Sequence, residues 1–127
     1  MADPSFALQV ALFARLESEL SCPVFDGAPM NEAKPYVSID SEISTNVDTL
    51  SKRRDLRFFY LSVWSDFKGQ EEIKRLMSEI DTALHERPLP LDAGRVISIR
   101  VDRKQAQREP DGETYQGSVT LRILTEH

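Results

Sequence analysis

Two histidines, one cysteine and a scatter of carboxylates are the side chains of this 127-residue chain with the capacity for chemistry. A zinc site recruits cysteines and histidines in closely spaced pairs, and Cys22, His85 and His127 form no such pair. His85 falls on the polar side of a helix, roughly 120° from Ile73 at about 100° per residue, so it is expected to be a solvated histidine. His127 ends the sequence and is expected to fray. Cys22 sits in no motif that marks a nucleophile and should pack as a small apolar residue. Among the carboxylates, Glu71 and Glu72 suit the positive end of a helix dipole. Asp111 is explained by the turn around it. Asp40 and Glu42, two positions apart on a strand, share its polar face and are the one pair that could hold a cation weakly. Neither a P-loop nor a dinucleotide fingerprint is present. No base, orienting group and electrophilic partner can be assembled into a reacting set. The expectation is a protein that is not an enzyme, with no catalytic residue, cofactor, metal or small-molecule substrate.

One concentrated charge feature remains, the basic run Lys52, Arg53 and Arg54 with Arg57 close behind. A solvated loop is its plainest explanation. If it binds, a protein partner ranks above nucleic acid, for two reasons. The net charge of -5 is wrong for a domain that coats nucleic acid. The nearby Phe58 and Phe59 belong to an apolar strand and are poor candidates for stacking on bases. The hydrophobic fraction of 40% and charged fraction of 29% are those of a globular chain, and its length suits a single domain spanning residues 1–127. One cysteine excludes an internal disulfide. No stretch approaches the ~20 apolar residues that span a bilayer, so no membrane partner is expected. The apolar run Phe6–Ala14 is preceded by Asp3 and broken by Gln9, unlike a secretory signal. Synthesis and assembly in the cytoplasm are expected.

The elements that position these residues follow from periodicity. Asp3 and Pro4 read as a helix N-cap and first helical residue, opening a helix to about Leu20, which Pro23 stops. Val24 and Phe25 form a short extended piece before a loop that continues to Pro35. Residues Tyr36–Ser44 alternate, with Val37, Ile39 and Ile43 on one face. Thr45–Arg54 is polar and irregular, and is expected to be mobile until a partner orders it. Leu56–Ser65 is apolar on both faces, as a central strand is. A second helix ends near Arg87, before Pro88. Leu89–Leu91 is a possible short strand. Arg95–Arg103 and Thr114–Thr125 are strands joined through the turn Pro110-Asp111-Gly112. The fold class is α+β: a mainly antiparallel sheet of about five strands with two helices packed on one face, in the order α-β-β-β-α-(β)-β-β.

Two of these elements, the first helix and the Leu56–Ser65 strand, carry more apolar surface than one packing layer covers. In the second helix Ile73, Leu76, Met77, Ile80, Ala83 and Leu84 occupy an arc of roughly 120°. In the first, Phe6, Leu8, Val10, Leu12, Phe13, Leu16 and Leu20 spread over roughly 200°. Either the rest of the chain buries the excess, or a neighbouring subunit does. The second face of Leu56–Ser65 poses the same question, which favours a homo-oligomer. Leu8, Leu12, Leu16, Phe58 and Tyr60 are the candidate subunit interface, and Lys52, Arg53, Arg54 and Arg57 the candidate surface for another component.

Six segments in order resemble the tail terminator, or tail completion, family of long-tailed phages and gene transfer agents. They are Ala-Leu-Phe-Ala-Arg-Leu at 11–16, Val-Phe-Asp-Gly-Ala-Pro at 24–29, Pro-Tyr-Val-Ser-Ile at 35–39 and Leu-Ser-Val-Trp-Ser at 61–65. Gly-Gln-Glu-Glu-Ile-Lys at 69–74 and Pro-Asp-Gly-Glu-Thr-Tyr-Gln-Gly at 110–117 complete the set. Each alone is explained by a turn or by core packing; their order and spacing over the whole chain carry the resemblance.

The resemblance implies a structural protein that forms a homohexameric ring. Such a ring caps the end of the tail tube, stops its polymerisation and offers a docking surface to the head connector. Its partners would be further copies of itself, the tail tube protein and the connector or neck protein, with DNA only passing through the lumen. An acidic chain suits a lumen that should not grip phosphate. The expected location is the tail of a phage or phage-like particle. Three other readings stay open: a head–tail adaptor or neck protein of the same kind of particle, a small oligomeric binding module of another system, and an enzyme.

Overall fold

A computed structural model describes residues 3–27 and 29–127. Ala28, within the 24–29 segment, lies outside the described residues. Two helices, α1 (Ser5–Glu19) and α2 (Glu71–Leu84), accompany five strands: β1 (Val24–Asp26), β2 (Tyr36–Asn46), β3 (Arg54–Ser65), β4 (Arg95–Arg108) and β5 (Tyr115–Glu126). The strands form one sheet in the order β1-β2-β3-β5-β4. All pairs are antiparallel except β1 with β2, which run parallel. Element order and class are those the sequence implies. The exception is Leu89–Leu91, which is not a strand. Pro88 and Pro90 flank Leu89 and lack the N–H groups a ladder needs. Leu89 instead buries its side chain in the core.

The sheet has two unlike faces. On the helix side, Phe59, Leu61 and Val63 of β3 and Val119, Leu121 and Ile123 of β5 meet Ile73, Leu76 and Ile80 of α2 and Leu8, Leu12 and Leu16 of α1. These three leucines, four residues apart, form a single row along one side of α1. They have no exposed surface at all. Helix α2 approaches β5 so closely at Gly117 that a Cβ there would sit 2.8 Å from Cγ2 of Ile73 and 3.0 Å from Sδ of Met77. Glycine is what allows that approach.

Two departures from simple alternation decide which side chains reach the other face. In β2 a bulge falls between Ile39 and Ser41. Before it Val37 and Ile39 lie opposite Val63 and Leu61, on the helix side; after it Ile43 lies opposite Phe58, on the open side. One inserted residue reverses every later side chain. Ile43 is accordingly 56% exposed, which corrects the expectation that Val37, Ile39 and Ile43 share a face. The second departure is that β2 and β3 run further than expected, so Thr45, Asn46 and Arg54 lie within strands. The connection shortens to residues 47–53 and has internal structure. The backbone N–H of Thr49 donates to the Lys52 carbonyl at 3.0 Å, and that of Arg54 to Oδ1 of Asp48 at 2.8 Å.

Candidate functional site

The residues expected to reach partners are sorted by the fold into three groups. The first lies inside the chain. Leu8, Leu12 and Leu16 belong to the core and offer nothing to a neighbouring subunit. The exposed apolar side chains of α1 are instead Phe6, 80% exposed, and Val10, 48% exposed. With exposed Ala14 and Glu17 they form a second row, on the side of the helix turned away from the sheet.

Arg57 is also withdrawn. It sits on the helix side of β3, in series with Phe59 and Leu61, and is 1% exposed. Its Nη1 donates to Oε2 of Glu42 at 2.9 Å and to Oγ of Ser44 at 3.0 Å. Its Nη2 donates to Oδ1 of Asp3 at 2.6 Å and to Oδ2 of Asp55 at 3.2 Å, and its Nε to Oγ1 of Thr125 at 3.0 Å. Burial opposes the charge, but Glu42 and Asp3 outweigh it and raise the guanidinium above the usual arginine value. The hydrogen bond from Arg57 holds the Asp3 carboxyl below its ordinary value. This cluster ties the start of α1 to β2, β3 and β5, so Arg57 is a structural residue. The bulge also separates the suspected cation pair. Asp40 accepts hydrogen bonds from Ser38 and Ser62 on the open side, whereas Glu42 is committed to Arg57 on the helix side. The two carboxylates do not converge.

The second group is the tip of the β2–β3 hairpin. Arg54 is pinned there, its Nε donating to Oε2 of Glu126 at 2.9 Å. Glu126 also pairs with Arg95, and these two arginines, Arg95 first, hold its carboxyl below the ordinary value. Arg53 pairs with Asp48 at 3.1 Å but stays largely in solvent, and Lys52 and Leu50 are exposed. The basic run is therefore split: Lys52 and Arg53 remain presentable, while Arg54 and Arg57 are spent on internal pairs.

The third group is the open face of the sheet. Leu56, Phe58 and Tyr60 of β3 point here, with Tyr60 36% exposed, and Ile43 stands beside Phe58. Across β5 the row continues with Arg122 opposite Phe58 and Thr120 opposite Tyr60. On β4, Arg100 follows Arg122, and Arg103 follows Thr120. Arg100 is paired with Glu86, but Arg103 and Arg122 have no acidic partner among the described residues. Trp64 closes the far end of this face, with its indole N–H buried and lacking an acceptor among the described residues.

Cys22 and His85 each take a place within the fold. Burial, reinforced by Glu79 and Glu72, pushes the Cys22 thiol up to about 11, so the thiolate that does cysteine chemistry is scarce. His85 is not a solvated histidine, as its helical angle suggested. Its Nδ1 accepts a hydrogen bond from the backbone N–H of Val101 at 2.9 Å, which fastens the end of α2 to the edge strand.

The assembled features are two uncovered apolar surfaces and a basic tip, without a converging set of reactive groups among the described residues. No curated protein matches the chain. A chain of a solved structure described as the virion of a native gene transfer agent particle matches with a TM-score of 0.87 at 22% identity, covering all of both chains. A second solved structure matches with a TM-score of 0.49 at 16% identity, over 94% of this chain and 95% of that one. The family model described as tail completion protein gp17 matches residues 10–126. The chain therefore belongs to the tail completion protein gp17 family, whose members are structural proteins of phage-type tails.

Proposed function

We propose that this protein forms a ring, hexameric as the family resemblance implies, that caps the finished tail tube and halts its growth. The ring then receives the head connector, and DNA passes through its lumen. The observation that carries this reading is the sheet's open face. Ile43 and Tyr60 are exposed and Phe58 beside them is half-buried, on a domain whose helices already occupy the opposite face. An apolar sheet surface of this kind is what a protein keeps for association. The whole-length similarity to a chain of a gene transfer agent virion supports a place in a tailed particle. Lys52 and Arg53, at the hairpin tip, are the groups offered to an adjoining tail or connector component, where rim charges add steering and register more than affinity.

Deleting the gene in a particle-producing host tests the reading. A terminator's loss should yield tubes of uncontrolled length without attached heads. Tubes of normal length that merely fail to join heads would reassign the protein as a neck adaptor. Electron microscopy of the purified protein or of isolated tails should show a closed ring.

A further inference from the structure

The two exposed apolar rows lie on opposite sides of the same two-layered domain, one on α1 and one on the open face of the sheet. A ring with one side to the tube and the other to the connector needs head-to-tail contacts between unlike surfaces, because a two-fold contact inverts every second subunit. We infer that they pair with each other between successive copies: the outer row of α1, Phe6, Val10 and Glu17, lies on the open face of the next subunit, on Ile43, Phe58, Tyr60 and Arg122. The inference rests on the ring reading and names the surfaces that close it.

Three features of the rows fit. Each combines exposed apolar side chains with a charge that has no partner in its own chain among the described residues, and these charges are opposite: Glu17 on the helix, Arg122 on the sheet. Each is therefore available to the other. The lengths also agree. Val10 and Glu17 are seven residues apart, about 10.5 Å along the helix. Ile43, Phe58 and Arg122 are paired neighbours on three adjacent strands, a span of about 9.6 Å at the usual strand spacing. A helix laid across the strands thus sets Val10 over Ile43 as Glu17 reaches Arg122, with exposed Ala14 between them over Phe58 and Phe6 lying beyond Ile43 toward β1. A contact from the back of one subunit to the front of the next propagates in one direction, and it closes into a ring when the rotation per step divides a full turn.

Cysteine cross-linking on assembled tails tests the pairing, because the native Cys22 is buried. Val10→Cys and Ile43→Cys alone should give no disulfide-linked dimers, since neither position meets its own copy. The double variant should give a ladder from dimer to full ring under mild oxidation. Glu17→Arg should reduce incorporation into tails, and Arg122→Glu in the same chain should restore it. Cross-linking of Val10→Cys alone would show a like-with-like contact and overturn the pairing. So would rings that form normally while the double variant yields no ladder; in both cases the ring reading would stand. Tails in which microscopy shows no ring would remove the ring reading, and this inference with it.

Discussion

The two faces of β3 are nearly equal in composition and opposite in fate. Phe59, Leu61 and Val63 are sealed beneath two helices, whereas Leu56, Phe58 and Tyr60, on the same twelve residues of backbone, remain partly in solvent. Apolar character along both faces of a strand therefore does not by itself say that the chain's own helices cover both. The helix side holds the chain's own core, and the open side is the face proposed to meet a neighbour.

Paired truncations should break this comparison if it is wrong. Phe59→Ala should cost the isolated chain about 3–5 kcal/mol, as a large buried aromatic does. Phe58→Ala should cost about 1 kcal/mol or less in the isolated chain, yet impair assembly into tails. Equal losses in chemical denaturation would mean that the faces do not differ. Next in size is Arg57→Ala, expected to destabilise by about 3 kcal/mol because it strips Glu42 and Asp55 of their counter-charge in a largely dry site. Had Arg57 served an external partner, its removal would leave the melting temperature unchanged. Gly117→Ala should cost about 1–3 kcal/mol by forcing α2 away from β5, again without a direct effect on association.

Acid sharpens the contrast further. Asp3 and Glu126 are held below their ordinary values of 3.8 and 4.5 by arginines. The unfolded chain therefore binds these protons more readily than the folded one. The stability they contribute is intact above those ordinary values and is lost as pH falls through and below them. Melting temperature should decline progressively from about pH 4 downward, and Arg57→Ala should flatten the part due to Asp3. The smallest stability effect is expected for Tyr60→Glu, within about 0.5 kcal/mol for an exposed site, while ring formation should be lost. A large drop in melting temperature would show that Tyr60 supports the monomer after all.

Much of the fold was legible in sequence because periodicity and turn chemistry were strong. Pro110-Asp111-Gly112 forms the expected turn, with Gly112 at φ +78° and Asp111 accepting the N–H groups of Glu113 and Thr114. The surfaces were harder. Leu8 and Val10 are both apolar helix residues, and only the docking angle of α1 decides which is inside. The bulge at Asp40 leaves no mark in composition, so Ile43 was read onto the wrong face. Two positions do carry a mark in the sequence. Arg57 falls in the odd-numbered series with Phe59, Leu61 and Val63, which places a charge in the core and calls for partners. Gly117 interrupts the series Tyr115, Val119, Leu121, Ile123, the mark of a close backbone approach.

The strand order has a consequence for how the protein is made. β5 follows every other strand in sequence, yet it lies between β3 and β4. Until residues 115–126 have been synthesised, β3 and β4 have no common neighbour, and the core lacks Val119, Leu121 and Ile123. The pairing of Arg54 with Glu126 joins positions more than half the chain apart, so the sheet's long-range contacts form late. The sheet and its open face are thus completed only when β5 fills the gap between β3 and β4.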